Sequence, residues 1–247
     1  MDVPQHPFDS RLRLRQLTLD DFDALVTMQL RSFPGMKPWG HDQIASQIAL
    51  FPEGQFAIDI DGKLAASASS LIVDSSSHSD WHDWKLSTDN GYIRNHDPQG
   101  DMLYGIEIMV DPEFRGLKLS RRLYQARKDL ATERNLKGIM IGGRIAGYGL
   151  HADAMSASEY VDRVISKELV DPVLTPQLSN GFALQGLIPN YFPSDAESRG
   201  FATYLEWTNF HYVAPQRRQL MRPVSPVRLS AVQYQMRSIA AFEDFAR

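Results

Sequence analysis

The sequence predicts a mixed α/β or α+β fold, and three observations carry that reading. Segments with a two-residue apolar period alternate along the chain with segments of helical period. A buried-type strand over Leu103–Val110 runs through a short loop into an amphipathic helix over Ser120–Arg134. Asp61-Gly62 between two apolar runs is a hairpin-turn signal. The 247 residues allow one large domain, or one domain and a fragment, and can bury about 70% of the unfolded surface without covalent staples.

The elements follow in order. Leu12, Leu14 and Leu17 alternate with Arg and Gln as a short opening strand. Thr18 or Asp20 caps a helix that runs to about Phe33, with Phe22, Leu25, Val26 and Leu30 on one face, until Pro34-Gly35 and Pro38 break it. His41–Leu50 reads as a second helix, with Ile44, Ile48 and Leu50 apolar. Gln55–Ile60 and Leu64–Val73 form the hairpin, and residues 74–100, rich in Ser, Asp, His and Gly, read as a long loop. The Ser120–Arg134 helix places Leu119, Leu123, Ala126 and Leu130 together. A strand over Ile139–Ile141 then ends in Gly142-Gly143-Arg144. Ser156-x-x-Glu159 has capping-box spacing ahead of Val161, Val164, Ile165 and Leu169. A short helix follows Pro172 and stops at Asn180-Gly181, and Phe182–Ile188 and Ala202–Trp207 are the last two strands.

Composition removes several function classes. There is no cysteine, which excludes disulfides, thiolate nucleophiles and thiolate-ligated metals. No apolar run reaches the roughly 18–20 residues of a membrane span, and MDVPQHPFDS lacks a signal-peptide layout. The expectation is a cytoplasmic protein with neither a membrane nor a nucleic-acid partner, in keeping with a net charge of −4. His78-x-x-x-His82 with Asp80 and Asp83 has a ligand-like spacing, but its Ser- and Asp-rich surroundings predict a loop, so no metal is expected. Trp81 and Trp84 in that loop read as packing anchors or as a lid over an acceptor site.

Charge is unevenly spread. Residues 1–100 hold 8 basic and 14 acidic side chains, whereas Asp111–Arg144 holds 9 basic against 4 acidic. A positive island on an acidic chain suits a small anionic ligand, although a charge run taken alone is more often a solvated helix face. Its local geometry favours the ligand. Ile106–Val110, a turn, Arg115-Gly116 and a helix start place orphan backbone N–H groups at the end of a buried strand, where a phosphate can dock. Neither a Walker nor a Rossmann glycine spacing is present.

At these residues the chain resembles the GCN5-related N-acetyltransferases (GNAT). That family marks its coenzyme A site with Val-x-Pro and then Q/R-x-x-G-x-G/A at a helix start. Val110-Asp111-Pro112-Glu113-Phe114-Arg115-Gly116 matches, while Lys118 and Ser120 replace the later small residues. Lys118 requires that the loop avoid a positive φ there or bear strain. The order of elements over roughly residues 12–207 also matches the family. The resemblance implies a mixed central sheet flanked by helices, with a splay between the fourth and fifth strands. It implies acetyl-CoA or acyl-CoA as co-substrate, and a small-molecule or peptide amine that attacks the thioester directly. Ile108, Met109 and Val110 would line the pantetheine arm, and Arg115, Gly116, Leu117, Lys118, Leu119, Ser120 and Arg121 would hold the pyrophosphate. Glu107, the one ionisable side chain of the central strand, is the candidate base, although strict alternation with Ile106 and Ile108 could aim it away from the thioester. The family's acid tyrosine, four residues before a final Gly-Phe, is Gln177 here, which leaves Tyr148 or solvent to protonate the thiolate. The acidic N-terminal half suggests a cationic amine.

Residues 1–210 therefore read as one acyltransferase-like domain. Residues 211–228, with four arginines, three prolines and no acid, read as a linker. Val227–Met236 and Ala240–Phe245 then resemble the opening strand and helix of the carbon–nitrogen hydrolase (nitrilase) superfamily, and Asn180–Trp207 resembles the same region of acetyltransferase–nitrilase fusions. That implies a truncated fusion partner, whose nucleophilic cysteine is missing. The alternatives are a C-terminal helix docked on the first domain, a homo-oligomer, and a non-catalytic acyl-CoA-binding or regulatory module.

Overall fold

The computed structural model describes residues 11–76 and 83–214. A seven-stranded mixed sheet runs through it in the order β1-β2-β3-β4-β5-β7-β6. The strands are β1 (Leu12–Gln16), β2 (Phe56–Ile60), β3 (Lys63–Val73), β4 (Met102–Val110), β5 (Gly138–Arg144), β6 (Ala183–Ile188) and β7 (Ala202–Thr208). The helices are α1 (Phe22–Ser32), α2 (His41–Leu50), α3 (Trp84–Ser87), α4 (Leu119–Glu133), α5 (Ala157–Ile165) and α6 (Leu174–Ser179). Neighbouring strands are antiparallel except β4 and β5, which lie parallel. A parallel pair needs a crossover, and α4 supplies it.

Most elements fall where the periodicity places them. The expected 74–100 loop differs: Asp83 accepts the Lys85 N–H at 2.7 Å and caps the short helix α3. Leu30, Leu50 and Ile165, expected on apolar helix faces, are exposed; each sits in the last turn of its helix. Ser156 accepts the Glu159 N–H at 3.2 Å and caps α5, as its spacing predicts. His78, Asp80, Trp81, His82 and the 215–247 tail lie outside the described residues.

The β4–β5 ladder is short. It pairs Met102–Gly105 with Gly138–Ile141 and then stops. Beyond it Glu107–Val110 stay with β3, and Gly142–Arg144 stay with β7. The two strands thus diverge into the expected splay, leaving one edge of each open.

Where the splay begins, β4 carries an irregularity. Glu107 pairs with Ser69 and Gly105 with Ser70, so Ile106 has no partner on β3. Arg127 of α4, only 2% exposed, reaches this point. Its Nε donates to Ser70 Oγ at 3.0 Å, and its Nη2 donates to the Ser69 carbonyl at 2.6 Å and to the Glu107 carbonyl. Burial pulls its pKa down to about 10, so it remains charged at neutral pH. Gly105 leaves room for it, since a Cβ there would meet Arg127 Nη1 at 2.7 Å.

Truncating Arg127 orphans two carbonyls beside the bulge. Arg127→Leu is expected to lower unfolding free energy by about 3 kcal/mol, read from urea denaturation. A change below about 0.5 kcal/mol would show that the bulge does not need the guanidinium.

Candidate functional site

The bulge decides where Glu107 points. Gly105 faces α4, and strict alternation would turn Glu107 to that side as well. The unpaired Ile106 shifts the alternation, and the Glu107 carboxylate lies on the opposite face, where Trp39 Nε1 donates to it at 3.0 Å. Trp39, between the α1–α2 prolines and Gly40, is held by its own N–H to Gln29 Oε1 at 2.8 Å. Burial pushes the Glu107 carboxyl up to about 7, and the Trp39 hydrogen bond and the charge of Arg127 only partly oppose this. The group therefore titrates near neutrality, as a proton acceptor at physiological pH requires.

Aromatic rings surround this face. Trp39 lies 5.7 Å from Trp84, Trp84 5.4 Å from Phe192, and Phe192 5.5 Å from Tyr191. The Tyr191 hydroxyl sits 2.7 Å from that of Tyr104 and rests against Gly142, where a Cβ would overlap it. Burial raises both phenols, Tyr104 to about 12. On the other face the Gln177 side-chain amide rests against Gly143 in the same way. The Gly142-Gly143 pair thus admits a hydroxyl on one side of the open β5 edge and an amide on the other.

Below the splay lies the loop before α4. Asp111 is buried, accepts the Glu113 N–H at 2.8 Å, and pairs with Arg31 at 2.9 Å, which fixes the turn out of β4. Gly116 has φ +84° with open space around it. Lys118 lies in the left-handed region at φ 57° and ψ 29° and directly precedes the helix. The lysine has therefore kept the backbone shape of the glycine it replaces, at a conformational cost of about 1–2 kcal/mol. Leu119, Ser120 and Arg121 follow in the first turn, whose N–H groups have no intrahelical acceptors. Arg115, Lys118 and Arg121 are exposed around it.

The positive island is smaller than its count. Arg127 is buried under the sheet; Arg134 pairs with Glu53 and Lys137 with Asp101, both at 2.5 Å. Arg144 is held by Asp195 at 2.6 Å and Glu197 at 2.7 Å. Lys128 Nζ donates to the Asn180 carbonyl and lies over the Trp207 ring. Arg115, Lys118 and Arg121 are the exposed cations nearest the start of α4.

Of the other expected residues, Ile108 and Val110 lie half-buried along the open β4 edge, where Ser32 Oγ donates to the Val110 carbonyl at 3.2 Å. Met109 is in the core, Leu117 is exposed, and Leu119 anchors the helix start in the core. Tyr148 is buried; its ring meets Tyr160 and Phe201, and its hydroxyl donates to the Met155 carbonyl at 3.3 Å. Sequence reasoning did not find Trp39, Tyr104 or Tyr191, since each belongs to the site only through contacts with residues distant in the chain.

The fold is shared with known proteins. A model of the acetyltransferase (GNAT) family matches residues 22–146. The chain is 44% identical over 239 residues to the probable hydrolase YhcX of Bacillus subtilis (strain 168), covering 97% of this chain but 47% of that protein. It therefore spans about half the length of that relative. It is 36% identical over 205 residues to the uncharacterized N-acetyltransferase YkwB of the same organism, covering 81% of this chain and 90% of that one. Among solved structures, the GphF GNAT-like decarboxylase in complex with isobutyryl-CoA superposes with a TM-score of 0.64 at 20% identity, covering 79% of this chain and 98% of that one.

Replacing Lys118 by glycine removes the side chain from a left-handed position. Lys118→Gly is expected to raise unfolding free energy by about 0.5–1 kcal/mol, after the greater freedom of unfolded glycine is deducted. Thermal denaturation measures this, and a lowered midpoint would contradict the strain.

Proposed function

The chain belongs to the acetyltransferase (GNAT) family, and from that premise we propose that residues 1–210 transfer an acyl group from CoA to an amine by direct attack. The observation that carries this reading is the Glu107 carboxyl, its pKa near 7, on the open edge of β4 at the mouth of the splay. The thioester supplies the electrophilic carbonyl carbon. Glu107 takes a proton from the acceptor nitrogen as that nitrogen forms the new C–N bond. The C–S bond breaks, and the thiolate leaves and takes a proton from water. Tyr148 serves packing in this scheme, since its hydroxyl is engaged by Met155. The backbone of Ile108 and Val110 offers a strand edge to the amide-bearing arm of the ligand. The helix start from Arg115 to Arg121 offers N–H groups and three cations to its phosphates. Neither the chemistry nor the donor set calls for a metal. The acceptor meets an aromatic wall beside a carboxylate, a setting that favours a small-molecule or peptide amine.

A second reading has its own support. Gln177 stands where the family carries a tyrosine, and YhcX, which this chain matches along one half, is a probable hydrolase. On that reading the domain binds acyl-CoA and regulates a nitrilase-like partner that begins within residues 211–247.

A thiol-release assay with acetyl-CoA and a panel of amines and peptide N-termini separates the two. Turnover supports transfer; acetyl-CoA binding with no turnover on any amine supports the regulatory module. For transfer, kcat/KM is expected to rise with pH through about 7, because the carboxylate is the active form. Glu107→Gln is expected to lower it by about 10²–10⁴-fold and to abolish that limb. A Glu107→Gln enzyme with the wild-type pH profile would remove Glu107 as base.

A further inference from the structure

Arg144 ends β5, three residues past Ile141, the last β5 residue paired with β4. Its side chain is 16% exposed and reaches the loop of residues 189–201 between β6 and β7. Nε and Nη2 donate to the two carboxylate oxygens of Asp195, each at 2.6 Å, and Nη2 also donates to Glu197 Oε2 at 2.7 Å. Parallel bonds of this kind fix direction as well as distance. Burial opposes both charges, yet the pairing outweighs it: the Asp195 carboxyl is held below its usual pKa and the Arg144 guanidinium above its own.

Asp195 is the hub of that loop. Its carboxylate also accepts the Ser198 hydroxyl and the Glu197 N–H. Its N–H donates to the Phe192 carbonyl at 2.9 Å, and its carbonyl accepts the Gly200 N–H at 3.0 Å. The Gly200 carbonyl in turn accepts the Tyr191 N–H at 2.9 Å. The clasp on Arg144 therefore fixes the backbone of Tyr191 and Phe192, the two rings that this loop adds to the wall beside Glu107. On its other side the guanidinium carbon lies 5.9 Å from the centre of the Phe33 ring, next to Ser32, whose hydroxyl is bonded to the Val110 carbonyl. Arg144 thus links the loop to the ends of both diverging strands.

Within the wall, Trp39 and Tyr191 are buried, whereas Trp84 and Phe192 are half-buried and keep ring area open. A further ring laid on such a pair gains about tenfold in affinity. Resting on the acyl-transfer reading, we infer that Arg144 is a positioning residue for the acceptor: by clasping Asp195 it holds Phe192 against Trp84, and the wall so formed selects an amine that carries an aromatic group.

Initial rates of the full chain with acetyl-CoA test this with two acceptors, phenethylamine, which brings a ring to the wall, and methylamine, which does not. The wild type is expected to prefer phenethylamine about tenfold in kcat/KM. Arg144→Met is expected to bring phenethylamine down to the methylamine value, and to leave methylamine turnover and the KM for acetyl-CoA unchanged. That variant strands the Asp195 charge in a buried place; if it does not fold, Arg144→Met combined with Asp195→Asn removes the clasp without an orphan charge and is expected to behave alike. Equal losses for both amines, which mark a purely structural role, would overturn the assignment. So would an unchanged preference in the variant, or a wild type that acylates amines without preferring phenethylamine. A wild-type chain that acylates no amine would overturn the transfer reading itself and this inference with it.

Discussion

The guanidinium of Arg127 is the contact on which the site depends. It sits beneath the sheet where β4 leaves β5, and it is paired with a hydroxyl and two carbonyls rather than with a carboxylate. A charge in the interior survives only when its hydrogen bonds are satisfied. The β-bulge satisfies them by turning the Ser69 and Glu107 carbonyls toward α4. The same turn moves the Glu107 side chain to the opposite face, under the Trp39 indole. One buried cation thus sets the register of the central strand, the direction of the candidate base, and the point at which the sheet opens.

The open edges answer a problem that sheets normally avoid. Unpaired strand groups invite association with another chain, and here they lie inside the molecule between two helical layers. A ligand with amides along its length can pair with them. Gly142 and Gly143 keep the opening wide enough for Tyr191 on one face and Gln177 on the other. The loop before α4 adds Gly116 and the left-handed Lys118, so its backbone curls as an anion cradle requires, and one residue bears strain to keep that shape. The electrostatics divide accordingly: exposed cations at the start of α4, and a carboxyl of raised pKa among aromatic rings beside the splay.

Much of this was legible in the residues. The order of strands and helices, the Asp61-Gly62 turn, the Ser156 cap and the strand–loop–helix cradle all follow from short-range patterns, and the structure places each near its expected bounds. Glu107 was legible as the one ionisable residue of its strand. The direction it faces was not, because alternation fails at a bulge, and a bulge is a property of two paired strands. The positive island was overcounted for a similar reason. Nine cations lie within 34 positions of one another in sequence, yet Arg134, Lys137 and Arg144 meet carboxylates of Glu53, Asp101 and Asp195 only after the chain has folded.

By itself the sequence determined the family-like order of elements and the strand–loop–helix junction with its left-over cations, because each of these is written in neighbouring residues. Only the tertiary structure decided which cations are paired with carboxylates and which face Glu107 occupies. Those outcomes depend on strand register and on the burial of charge, and both are settled between segments many residues apart.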